Sequence, residues 1–188
     1  MDLEALAKRC LALDDPEVLV RTLAGVRCVV ANITVDDVAD LLPGGPGALY
    51  YRFGEALGLA DSDRVVFLDV ATDLVRMAGA PYPDRLLGEA YLKHALQEMP
   101  GWRPFARLLL PGLEGVVMLH AKTSARLRTL RAALAVERFR LEYGRLPDAL
   151  AGLVPAHLDA VPADPFTGAP LRYRRLPVGY VVYSVGMD

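Results

Sequence analysis

The sequence predicts an α+β protein that is mainly α, and three observations carry that reading. Apolar residues recur at helical spacing from Leu3 to Tyr143. Turn-forming residues then crowd the stretch "EYGRLPDALAGLVPAHLDAVPADPFTGAPLRYRR", Glu142 to Arg175. Two short runs near the end, Leu171 to Leu176 and Tyr180 to Val185, alternate or are apolar and are joined by "PVG", which signals an antiparallel hairpin. The expected organisation is a helical region over 1–111, followed by a long helix and a small α+β cap over 112–188.

The elements follow in order. Leu3, Leu6, Cys10 and Leu13 space a first helix, which Asp14-Asp15-Pro16 stops before a second helix over about 16–31. Val29, Val30 and Ile33 would also suit a short strand, but no partner strand is offered nearby and helix is the expectation. Thr34 opens a short helix ending at Leu42, and "PGGPG" at 43–47 breaks the chain. Ala48 to Ala60 and Asp63 to Met77 are expected as two further helices, "GAPYP" ends the second, and 84–98 forms another. From about 112 to 143 one long helix sets Leu127, Leu130, Leu134 and Leu141 on one line beside Ala132, Val136, Phe139 and Tyr143, with arginines bordering the stripe.

After Tyr143 the pattern changes. Gly144 suits a helix C-cap, Pro147 the first turn of a short helix over Asp148 to Leu153, and Asp164, Pro165 and Gly168 the turn "DPFTG". These five residues form the expected structural loop.

Composition limits the function classes. The chain has 188 residues, enough to bury a real core, and a mean hydropathy of +0.26, yet charges interrupt every stretch long enough to span a membrane. Met1-Asp2-Leu3-Glu4 is acidic and shows no signal-peptide pattern, so neither leader nor membrane anchor is expected in these residues. The net charge of -2 argues against a nucleic-acid partner. The basic residues gather after Lys122, where they read as a solvated helix face or as a surface for anionic lipid or another protein. Cys10 and Cys28 lie in apolar helical patterns and read as buried free thiols, or as a disulfide in an oxidising compartment.

The ending resembles a known family. Tyr143, Gly144, Arg145, Pro147, Leu153, Val154 and Pro155, then Pro162, Asp164, Pro165, Phe166, Gly168, Pro170 and Tyr173, then Tyr183, Ser184, Gly186 and Asp188 follow the order and spacing of the soluble domain of type II secretion major pseudopilins and related type IV pilin-like proteins. That family carries a "P-x-DPWG-x-P-Y-x-Y" loop and a strand ending "YS-x-G-x-D". The match covers about 132–188, and it is similar also to the C-terminus of a group of uncharacterised bacterial proteins with variable helical regions in front. The family's prepilin-peptidase site and leading apolar helix have no counterpart in these residues. The resemblance implies a non-enzymatic structural or interaction protein, periplasmic or envelope-associated, with protein partners or self-association. It also implies calcium near the last strand, but calcium takes six to eight oxygens and the matching donors are Ser184 and Asp188. No cofactor is therefore expected, with calcium at those two residues as the alternative.

The residues themselves show no catalytic motif. His94, His120 and His157 stand apart without ligand spacing, Ser124 and Ser184 lack a nucleophile elbow, and Gly44, Gly45 and Gly47 do not make a phosphate loop. Asp36 and Asp40, one helical turn apart, read as a solvated first turn. The rival function is an enzyme or small-ligand binder with a site among the N-terminal helices, for which Asp69, Asp73, Arg76 and His94 are the candidate residues.

Overall fold

Helix α1, Leu3–Leu13, begins where Asp2 accepts the backbone N–H groups of Glu4 and Ala5, 3.0 and 3.1 Å away, an N-cap that satisfies two otherwise orphaned donors. It opens the computed structural model, which describes residues 2–33, 54 and 57–186. The expected helix ending at Leu42, the "PGGPG" break, Asp36 and Asp40 lie outside the described residues, as does most of the expected helix from Ala48. Helix α2 spans Glu17–Asn32, α3 Leu59–Ala78, α4 Leu87–Glu98 after a 3₁₀ turn at Asp84–Leu86, and α5 Pro104–Tyr143. A 3₁₀ turn at Leu150–Leu153 leads to the strands β1, Arg172–Arg175, and β2, Tyr180–Tyr183. The chain is thus mainly helical with a small C-terminal antiparallel sheet, as the sequence predicts.

Contacts divide the chain into two units. One contains Pro16–Ala80 and Leu87–Met118, and an apolar cluster fills its core: Leu19 and Leu23 of α2, Phe67 and Leu74 of α3, Leu92 of α4 and Leu110 of α5 are almost fully buried. Each such side chain contributes about 1.5–3 kcal/mol by leaving water. Val18 and Val29 of the expected apolar face of α2 instead face solvent. Helix α3 starts at Leu59 and runs unbroken through Asp63, where the sequence suggested a new helix.

Asp63 explains why α5 begins at Pro104 and not near 112. Its fully buried carboxylate accepts the N–H groups of Phe105 and Ala106, at 2.9 and 3.3 Å, so it caps the first turn of α5 from another helix. Pro104 fits the first helical position, where a missing N–H costs nothing. Pro111 lies inside α5 but on its exposed side, as does Arg107, whose carbonyl has no N–H at position 111 to accept.

The other unit comprises Met1–Asp15, Pro81–Leu86 and Leu119–Asp188. Along its part of α5 the buried line is Ala132, Ala135, Val136 and Phe139, packed on Leu150, Leu153, Leu158 and Leu171. Leu130 and Leu141 were expected on the apolar face, but they are 43% and 71% exposed, because the small alanines are what let the cap approach the helix. Gly144 ends α5 at φ +67°, its N–H donating to the Arg140 carbonyl at 2.9 Å. The helix expected over Asp148 to Leu153 shortens to the 3₁₀ turn, and Pro147 before it is buried.

The hairpin pairs Arg172 with Tyr183 and Arg175 with Tyr180, closed by the Leu176 N–H on the Gly179 carbonyl at 2.9 Å. Tyr173 and Tyr180 lay it on the unit by donating to the Pro147 and Ala133 carbonyls, at 2.9 and 3.2 Å. Cys10 is buried and Cys28 exposed, both as free thiols, so Cys28 corrects the expectation of two buried ones. No helix among the described residues is long and apolar enough to cross a membrane.

Candidate functional site

Pro162 to Pro170 doubles back on itself. Ala163 and Pro170 form an isolated antiparallel bridge, Leu171 N–H donates to the Pro162 carbonyl at 3.0 Å, and Asp164 N–H donates to the Ala169 carbonyl at 2.7 Å. Gly168 N–H returns to the Asp164 carbonyl at 2.8 Å, with Gly168 at φ +71°. A side chain at 168 would strain that backbone, and its Cβ would stand 2.9 Å from Pro83 Cδ, too close for a real contact.

The Asp164 side chain organises this loop from inside. It is 2% exposed, and its two oxygens accept three hydrogen bonds: Oδ1 from Phe166 N–H and the Ser184 hydroxyl, each at 2.9 Å, and Oδ2 from Val185 N–H at 2.8 Å. Phe166 lies two residues on, whereas Ser184 and Val185 follow β2, so one carboxylate holds the loop to the far end of the hairpin. A buried carboxylate is tolerable because its charge is met by donors. Pro165 is buried beside it, while Thr167, Gly168, Ala169 and Pro170 are exposed and form the presented edge.

A second polar cluster centres on Tyr82, the residue before Pro83. The Tyr82 hydroxyl is 2.8 Å from His120 Nδ1 and hydrogen-bonds buried Ser124, while the guanidinium groups of Arg85 and Arg128 stand 4.9 and 5.4 Å from its ring centre. Burial pushes the Tyr82 hydroxyl up, and burial together with Arg85 pulls the His120 imidazole down. Both groups are therefore held neutral at pH 7. Arg128 ties this cluster to the loop: its Nε donates to Asp14 Oδ2 at 2.8 Å and its NH1 to the Ala163 carbonyl at 2.9 Å. Arg128 is thus built into the unit and is not part of a solvated arginine face.

Of the residues singled out in the sequence, the structure brings Asp164, Pro165, Gly168 and Ser184 together. Gly144 and Pro147 act at the end of α5, and Asp188 lies outside the described residues. Ser184 donates to Asp164, and its own oxygen accepts from Gly186 N–H at 3.3 Å. Among the described residues no group of three or more His, Cys, Asp or Glu side chains is placed to hold a metal ion. The residues named for the rival reading sit on the surface of the other unit: Asp73 accepts from Tyr91 at 2.8 Å and Arg76 at 2.9 Å, and Asp69 and His94 are exposed. Burial and the Asp73 hydrogen bond push the Tyr91 hydroxyl up to about 12. Tyr82 and Asp63 were not legible as site or cap residues, because their partners lie 38 and 42 positions away.

Fold and loop define a mainly helical α+β protein with a small antiparallel cap braced by a buried aspartate. No protein-family model, curated protein or solved structure matches the chain.

Proposed function

We propose that this protein is a non-enzymatic interaction protein of the bacterial envelope, whose C-terminal cap works as the soluble domain of a secretion pseudopilin does, by presenting a rigid edge to protein partners or to further copies of itself. The observation that carries the reading is the Asp164 carboxylate, which spends every hydrogen bond inward and leaves Thr167 to Pro170 exposed on a loop that has little freedom left to lose. Ordering a loop before it binds lowers the entropic cost of association. The order of α5, Gly144, Pro147, the 3₁₀ turn, the Asp164 loop and the hairpin also supports it, because that is the order in which the resemblance runs.

The test combines solution mass, with and without calcium, and a photocrosslinking side chain at Thr167 in cells. Assembly, or crosslinks to envelope proteins that vanish when Ala169 is replaced by Arg, supports the reading. A strictly monomeric species that ignores calcium and crosslinks to nothing of the envelope overturns it.

A further inference from the structure

A cavity of about 190 Å³ lies within the unit that holds the cap, lined by Lys8 and Leu11 of α1, Arg131 and Arg138 of α5, and Pro155 and His157 of the turn after the 3₁₀ segment. Its cations differ in how they are met. Lys8 pairs with Glu4 at 2.9 Å, both side chains more than half exposed, and Arg131 pairs with Asp159 at 2.8 Å, where Asp159 is 90% exposed. Arg138 is half-buried and lies within electrostatic reach of Glu4, yet no hydrogen bond or ion pair joins it to another described residue. Three cations against two carboxylates leave one positive charge on the lining, and it belongs to a guanidinium partly withdrawn from water.

A second, independent feature marks the cavity. The His157 side chain is 5% exposed, packed edge-on to Phe139 and Tyr143, with ring centres 5.7 and 6.4 Å away. Its Nδ1 has no hydrogen-bond partner, and its Nε2 stands 3.4 Å from a Glu142 oxygen without hydrogen-bond geometry. Buried polar atoms are normally satisfied, so unmet ones beside a cavity point to a ligand or water that completes them.

We infer that this cavity binds a small monocarboxylate with a short apolar chain. The Arg138 guanidinium takes the carboxylate in a two-pronged hydrogen bond, Arg131 can turn from its exposed aspartate to assist, and Leu11, Leu158 and Pro155 cover the chain. The single excess charge suits a monoanion better than a phosphate. The carboxylate has two conceivable sources, a free short-chain acid or the C-terminus of a peptide, and the assay separates them. The inference is independent of the interaction proposed above.

The experiment is an amide-shift titration of the whole chain at low salt with hexanoate, inorganic phosphate, and a short apolar peptide carrying either a free or an amidated C-terminus. Hexanoate is expected to give saturable shifts at Leu11, Ala156 and Leu158. Arg138→Gln weakens binding about tenfold or more without lowering the melting temperature, since it breaks no pair in the free protein. Asp159→Asn, which releases Arg131, strengthens it, and Arg140→Gln leaves it unchanged. Tighter binding of the free-ended peptide than of hexanoate assigns the source to a chain terminus, and the reverse assigns it to a free acid. Non-saturable shifts, equal binding of phosphate, or an unchanged affinity in Arg138→Gln overturns the inference.

Discussion

Asp164 accepts three hydrogen bonds with two oxygens, and a substitution at this one position tests how the cap is held. Asparagine keeps one acceptor oxygen but sets an NH₂ against one group of donors, so Asp164→Asn is expected to cost about 1–3 kcal/mol. Asp164→Ala leaves all three donors unmet and is expected to cost more. Urea unfolding of both variants gives the values, and an alanine variant as stable as the asparagine one contradicts the bracing role. His120 supplies a pH dependence. Its imidazole titrates below the ordinary 6.5 because burial, Arg85 and Arg128 all disfavour the cation. The unfolded chain therefore binds that proton more readily, so the stability from the Tyr82–His120 cluster is complete above the ordinary value and is lost as the pH falls through the lower folded one. Melting curves between about pH 7.5 and 5.5 are expected to show this decline, and His120→Gln is expected to flatten it.

At the scale of elements, α5 shows how far local signals reach. Gly144 is legible as its end because positive φ is a property of one residue, and the hairpin is legible because alternation and "PVG" are contiguous. Its beginning is not, because the cap on Phe105 and Ala106 comes from Asp63 on α3. Asp63→Ala is expected to cost about 2 kcal/mol, with the Phe105 and Ala106 amides exchanging faster than those at the end of α5. Uniform loss of protection along α5 would contradict a local cap. Pattern drew the buried face too wide: Ala132, Leu134, Val136 and Phe139 are inside as expected, but Leu130 and Leu141, larger and more apolar than Ala135, are exposed while Ala135 is buried. Close approach of the cap selects for small side chains, and that selection is invisible in a reading that ranks residues by hydropathy.

For the whole molecule, the consequence is that each unit is assembled from separated stretches of chain. The unit containing the cap draws on Met1–Asp15 and Pro81–Leu86 as well as on the residues after Leu119, through Asp14–Arg128, Tyr82–His120 and Pro83–Gly168. A fragment starting at residue 112 lacks Asp14 and Tyr82, and it is expected to show weaker near-ultraviolet signals and a lower melting temperature than the whole chain. A fragment as stable as the whole would make the earlier segments dispensable. The class, mainly helical with an antiparallel cap, was legible in the residues alone, together with the Gly144 end of α5 and the Asp164–Gly168 turn, because periodicity and turn chemistry act over a few residues. That Asp164 braces Ser184, that Asp63 starts α5, and that Arg128 and Tyr82 join three stretches of one unit became visible in the fold alone. Those choices depend on which distant donors meet which acceptors once apolar packing has brought them together.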